Sequence, residues 1–215
     1  TYTGGAMVTG WYNYLDGLDQ YEDEGDDSLW LYFNPSTGEK TADTTKRIGG
    51  LYYRFNTDGI MESGWQAATG STVRGTVSQY YSGSDQGWRQ RNTWIWAVPT
   101  ADMSQDDHDN DVSRWFYVGA DGRAVAGQAK RISSRWYIFD DAGIMKSGLV
   151  ALSGDRISAD SKLYINVDNK DEYADGVLDT DYYESGDITE LVIDENHGLY
   201  YFSNDEERDG SMKTG

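Results

Sequence analysis

The chain has 215 residues with no cysteine, two prolines and two histidines. The lack of cysteine excludes disulfides, thiolate metal sites and cysteine nucleophiles. With only His108 and His197 available, a histidine-rich metal centre is not expected. Basic residues are also scarce: 18 Lys and Arg stand against 37 Asp and Glu, a net charge of −19. Nucleic-acid binding needs clustered cations and is excluded on that balance, and electrostatic docking on an anionic membrane is disfavoured. No apolar run approaches the ~18 residues that a bilayer-spanning helix needs, so no membrane insertion is expected. No charged segment followed by an apolar one opens the sequence, so an export signal is expected to lie outside it or to have been removed.

Aliphatic residues are few as well. Leu, Ile, Val and Phe total 37 of 215, a share that together with this charge is usual for disordered chains. What the sequence has instead is rings: 8 Trp, 17 Tyr and 5 Phe. Each buried ring removes ~150–250 Å² from water, so an ordered core can be built from aromatics. Glycine is abundant at 25 residues, which with so little proline points to many tight turns between short strands.

One motif, G-x-M-x-[ST]-G, occurs four times, at 5–10, 59–64, 143–148 and 210–215, and Trp11 and Trp65 directly follow the first two. Aromatic strands precede three copies: Leu51-Tyr52-Tyr53-Arg54-Phe55, Arg135-Trp136-Tyr137-Ile138-Phe139 and Leu199-Tyr200-Tyr201-Phe202. The first copy lacks one, as expected for a piece of a longer polypeptide. Residues 31–65 align with 115–149 at a constant offset of 84 with 12 identities in 35 positions, where chance gives roughly two or three. Aromatic strands about 20 residues apart, joined by turns such as Asn56-Thr57-Asp58-Gly59, predict hairpins formed by the aromatic strand and the returning Met–Ser–Gly stretch. A lone hairpin is marginal in water, so each must stack on its neighbours. The expected fold is all-β, an elongated β-solenoid of stacked short hairpins with acidic loop insertions at 19–27, 102–111 and 155–196. The organisation expected is a repeat array over 1–149 and a divergent, more acidic segment over 150–215, net −12, continuing the same solenoid.

The run from Leu51 to Trp65 resembles one unit of the cell-wall-binding (choline-binding) repeats, to which glucan-binding repeats are similar, of secreted Gram-positive surface proteins. The resemblance implies stacked hairpins with three-walled aromatic cages between units. It implies a first cage of Trp11, Trp30 and Tyr52 with Met7 nearby. A second combines Trp65, Trp94 or Trp96, and Trp115, with Trp88 as a substitute wall and Met61 as the other methionine side wall. It further implies a bacterial cell-surface, extracellular location and a cell-wall polymer as partner, either choline-substituted teichoic acid or a glycan. Ring faces suit a quaternary ammonium, which cannot donate a hydrogen bond, and also stack on sugars. The third motif is followed by Leu149 in place of Trp.

Other features are read more plainly. Tyr53, Phe55, Tyr137, Phe139 and Tyr201 are expected in the core. Lys46-Arg47 and Lys130-Arg131 are expected to pair with nearby carboxylates. The stretch Asp171–Gly176 matches an EF-hand loop only in part, which makes Ca²⁺ in the acidic loops a weak candidate. No carboxylate pair stands out from 37 acidic residues, so a catalytic role is not expected. No cofactor is expected either. The reading is therefore a non-catalytic attachment module. The alternative is a structural spacer or protein-interaction scaffold whose rings are all internal.

Overall fold

A computed structural model describes residues 6–14, 29–68, 78–154, 156–163, 173–174, 177–178, 197–203 and 210–213. The acidic stretch 19–27 and most of 155–196, including Asp171 and Asp175 of the EF-hand-like sequence, lie outside these residues. The elements in order are β1 (Gly10–Asn13), β2 (Trp30–Phe33), β3 (Thr44–Ile48), β4 (Leu51–Phe55), β5 (Gly64–Ala67), β6 (Ser78–Tyr81), β7 (Thr93–Ala97), α1 (Gln105–Asp109), β8 (Arg114–Val118), β9 (Gln128–Ile132), β10 (Arg135–Phe139), β11 (Met145–Lys146), β12 (Gly148–Ser153), β13 (Tyr173–Ala174), β14 (Val177–Leu178) and β15 (His197–Phe202). Among the described residues, four two-stranded sheets (β1-β2, β3-β4, β5-β6 and β7-β8) accompany a three-stranded sheet β11-β10-β9 and a four-stranded sheet β13-β14-β12-β15. The fold is all-β, made of antiparallel hairpins.

The hairpins are drawn differently from the expectation. The aromatic strands β4 and β10 pair mainly with the strand before them: β4 makes five cross-strand pairs with β3, from Thr44↔Phe55 to Ile48↔Leu51, and β10 makes five with β9. The returning methionine contributes only a bridge, Phe55↔Met61, or the two-residue β11. The cause is the two-residue turn. Gly49 and Gly50 both have positive φ, +57° and +90°, the conformation that matches the twist of a tight hairpin and closes β3 onto β4. The Asn56 turn is wider. There the Asn56 side-chain oxygen accepts from the backbone N–H of Asp58 and Ile60 at 3.0 and 2.9 Å.

The described residues form two compact units. One takes those of Thr1–Gly70, Ser78–Asn92 and Ala120–Arg123; the other takes those of Thr93–Gly119 and Ala124–Gly215. The first unit contains β1 to β6 and the second β7 to β15, and each is a copy of one three-hairpin block. In the first hairpins, Trp11↔Tyr32 is matched by Trp94↔Tyr117. In the second, Lys46↔Tyr53 is matched by Lys130↔Tyr137. In the third, Gly64↔Tyr81 is matched by Gly148↔Phe202. The duplication therefore runs beyond 31–65 and 115–149, and its offset is not constant. Trp30, Tyr32 and Phe33 correspond to Trp115, Tyr117 and Val118, an offset of 85. The bridges Phe33↔Lys40 and Val118↔Ala124 show one residue missing from the second copy's turn, after which the offset is 84.

Rings carry the cores. Tyr32, Tyr53 and Phe55 are buried in the first unit, with Trp11, Ile48, Met61 and Trp88 packed on them. Val125, Tyr137 and Phe139 form the equivalent cluster in the second, with Trp94, Tyr117, Ile132 and Met145 against it. A further cluster of Ala129, Ile138, Val150, Leu152 and Phe202 is more aliphatic. Tyr201 is not a core residue but 44% exposed. Successive strand residues face opposite ways, and Tyr200 and Phe202 take the inward positions.

Two further expectations are corrected. The 102–111 insertion is not simply a solvated loop. Ser104 caps the short helix α1 by accepting from the Asp107 N–H, and Asp107 is buried and ion-paired with Arg114. Among the described residues, Lys46 and Arg47 do not pair with carboxylates. Lys46 Nζ donates to Thr41 Oγ1 at 3.2 Å and lies over the Tyr32 ring. Arg47 Nε donates to the Gly50 carbonyl at 3.3 Å, and its repeat counterpart Arg131 does the same to Ser134 at 3.3 Å. The two arginines brace their own hairpin turns.

Candidate functional site

In the first unit a pocket of about 240 Å³ is lined by Trp11, Trp30, Tyr53, Met61, Asp85, Gln86 and Trp88. Its walls come from all three hairpins of the block. Trp11 on β1 and Trp30 on β2 stand nearly perpendicular, with ring centroids 6.3 Å apart and planes at 88°. Trp11 also lies edge-on to Tyr53 at 4.8 Å. Burial pushes the Tyr53 phenol above its ordinary value. Met61 reaches the site because its N–H donates to the Trp30 carbonyl at 2.8 Å.

Trp88 arrives on the turn that follows β6. The N–H groups of Gln86 and Gly87 both donate to the Gly83 carbonyl, at 2.8 and 2.9 Å. Ser82 Oγ donates to the Trp88 carbonyl and accepts from its N–H, each at 3.1 Å. Gly87, with φ +62°, rests directly on Met61: a Cβ there would lie 2.1 Å from the Met61 sulfur. The turn that carries Asp85, Gln86 and Trp88 is thereby pressed onto the methionine wall.

The structure brings four of the sequence-predicted residues together, Trp11, Trp30, Met61 and Trp88. The others stand elsewhere. Tyr52 points to the opposite side of β4 from Tyr53, with the Arg89 guanidinium 4.5 Å and that of Arg47 5.9 Å from its ring centre. Met7 is 56% exposed and covers the Gly38 turn. Trp65 packs edge-on against Tyr80 at 5.0 Å in the first unit. Trp94, Trp96 and Trp115 belong to the second unit. There Trp94 meets Tyr117, Tyr137 and Phe139 at 5.3, 4.8 and 6.0 Å. Trp115 is perpendicular to Trp94 at 6.4 Å, and Trp96, 55% exposed, lies 4.9 Å from Trp115. Tyr53, Asp85 and Gln86 were missed as lining residues. The available signal was the polar turn Ser84-Asp85-Gln86-Gly87 immediately before an indole.

The second block repeats two walls of this pocket, Trp94 and Trp115, and the methionine, Met145. It does not repeat the third indole. Ser203 N–H donates to the Ser211 carbonyl as Ser82 does to Trp88, and Met212 N–H donates to Trp136 as Arg89 does to Tyr52. Ser211 therefore stands where Trp88 stands. The wide depression of about 820 Å³ in this unit is lined by Asp106, Asp107, Arg114, Asp141, Lys146 and Lys162 among others, and Phe139 is the one ring among its described lining residues. Among the described residues no group of three His, Asp or Glu is placed to hold a metal, and no helix is long and apolar enough to cross a membrane.

No protein-family model and no curated protein matches the chain. Solved structures similar to it include CbpF in complex with ipratropium, at 20% identity over 66% of this chain and 38% of that one, TM-score 0.45. Choline binding protein F from Streptococcus pneumoniae, crystal form II, is 17% identical over 96% of this chain and 48% of that one, TM-score 0.43. The modular autolysin LytC from Streptococcus pneumoniae is 19% identical over 99% of this chain and 35% of that one, TM-score 0.45. The chain spans less than half the length of each. Choline binding protein F carries the name of the repeat family that the G-x-M-x-[ST]-G motif resembles.

Proposed function

We propose that this chain is a non-catalytic module that attaches its parent protein to a bacterial cell-wall polymer outside the cell, by holding a choline-type headgroup in the Trp11–Trp30–Trp88 pocket. The observation that carries this is three indoles and a methionine from three hairpins converging on one small space. A volume of about 240 Å³ is below the ~300–1,000 Å³ of drug-sized sites, which suits a single headgroup. A tetra-alkylated nitrogen offers no hydrogen-bond donor, and each ring face it meets contributes ~0.5–2 kcal/mol. Among the described residues the block comparison supports one such site, because Ser211 replaces the third wall in the second unit.

The test is titration with choline chloride, followed by tryptophan emission and calorimetry. Saturable binding of one equivalent is expected. Trp30→Ala, which removes a whole wall, should weaken it about tenfold, the equivalent of ~1.4 kcal/mol. A flat titration alongside an intact cooperative melt overturns the reading. Saturation by a wall glycan fragment, without any by choline, moves it to sugar stacking.

A further inference from the structure

We infer that Arg47, Tyr52 and Arg89 form a site for a phosphate-type anion, separate from the indole pocket. The three residues make one row across three strand segments. Arg47 and Tyr52 are direct cross-strand partners on β3 and β4. From the other side of β4, the Arg89 N–H donates to the Tyr52 carbonyl at 2.8 Å. The side chains share a face: the Arg47 and Arg89 guanidinium carbons lie 5.9 and 4.5 Å from the Tyr52 ring centre. Adjacent strand residues face opposite ways, so the row lies on the other face from Tyr53 and Trp88, which line the pocket.

Two like charges beside one ring repel each other, and a protein with 37 Asp and Glu has carboxylates to set against them. Yet neither arginine is ion-paired among the described residues. Asp121, next to Gly122, pairs with Arg123 at 3.6 Å. Gly122 itself sits on the Arg89 stem: a Cβ there would lie 2.7 Å from the Arg89 Cδ, and Arg89 Nε is buried without a partner. Arg47 is held by its Nε, which donates to the Gly50 carbonyl at 3.3 Å. Both side chains are thus fixed short of their terminal NH2 groups. Those groups form the planar fork that suits the oxygens of a phosphate.

The second block supplies the comparison. Its row is Arg131, Trp136 and Met212, with one cation. Trp88-Arg89 of the first block becomes Ser211-Met212, so the third indole and the second guanidinium are replaced together. The block with three indoles is the block with two arginines, which fits a ligand that carries a quaternary ammonium and phosphate groups on one chain.

The experiment titrates the chain with inorganic phosphate and, separately, with a glycerol phosphate oligomer, at constant ionic strength with sodium chloride as the control. Arginine side-chain NMR signals and calorimetry report binding. Wild type should saturate. Arg89→Met, which installs the second block's residue, should weaken binding at least fivefold and leave choline affinity unchanged. Arg47→Gln, at an exposed position, should weaken it about twofold. Tighter binding of the oligomer assigns the site to the phosphodiesters of a polymer; binding of inorganic phosphate alone assigns it to the free ion. No saturation by either, or equal affinity in wild type and Arg89→Met, overturns the site. A lower melting midpoint in Arg89→Met with phosphate affinity unchanged also overturns it, because the row is then only a brace. Choline is titrated separately, so failure here leaves the pocket reading standing.

Discussion

At the scale of single residues, the two copies of the block test each other. Gly49 and Gly50 make the β3–β4 turn, and Ser133 and Ser134 make the matching β9–β10 turn with φ +47° and +71°. A side chain in the left-handed region costs ~1–2 kcal/mol per residue, whereas glycine adopts it freely. Ser134→Gly should therefore raise stability by about 0.5–1 kcal/mol, read as a shift in the thermal or denaturant midpoint. The glycines under the methionines answer to a different constraint. A Cβ at Gly38 would lie 2.2 Å from the Met7 sulfur, at Gly87 2.1 Å from that of Met61, and at Gly210 2.4 Å from the Met145 methyl. Gly87→Ala should lower both stability and choline affinity, because alanine is strained at φ +62° and either the Met61 wall or the turn bearing Trp88 must shift to admit its Cβ. Unchanged affinity in a calorimetric titration would separate the turn from the site.

At the scale of elements, side chains change in compensating sets. Arg54 pairs with Glu62 at 2.7 Å in the first block. In the second those positions are Ile138 and Lys146, and Lys146 pairs with Asp140 at 3.0 Å, where the first block has Asn56. Asn56 and Asp140 do the same backbone work, accepting from the N–H of Ile60 and Ile144 at 2.9 and 2.8 Å. The helix α1 has a pH-dependent anchor. The hydrogen bond from Arg114 holds the buried Asp107 carboxyl below the ordinary value of 3.8. Because the folded value is the lower one, the contribution is complete above about pH 4 and fades as pH falls through the folded value. Asp107→Asn should cost ~1 kcal/mol near neutrality, discounted for the half-exposed Arg114. That difference should vanish in melts recorded well below pH 4.

At the scale of the whole molecule, two copies of one three-hairpin block have diverged at ring positions. The first keeps Trp88; the second has Ser211 there and carries Trp96 where the first has Asn13. Trp94 packs on Tyr137 and Phe139 as Trp11 packs on Tyr53 and Phe55, at 4.8 and 6.0 Å against 4.8 and 5.8 Å. Its role without a third indole is core packing. Trp94→Ala should cost about 3 kcal/mol of stability, the low end for a lost large ring, and leave choline affinity and the single equivalent unchanged in the same titration.

Much of the fold was legible in the sequence, and the reasons are local. Rings in short strands, Asn, Asp and Gly at the turns and a recurring methionine report strand, turn and repeat directly, because a turn's φ angles and a strand's alternation depend on neighbours a few positions away. The same locality explains the errors. A gapless alignment cannot see one residue lost from the turn between Val118 and Ala124, and Tyr52, expected as a cage wall, is sent by the strand's alternation to Arg89 while Tyr53 goes inward. The site itself lay beyond local rules. Trp88 joins Trp11 and Trp30 across 77 and 58 positions of chain, and no pattern within a repeat says which later unit supplies the third wall. Sequence by itself determined an all-β repeat rich in rings; tertiary structure decided which rings share one space, because that depends on how the first and third hairpins of a block meet across the second.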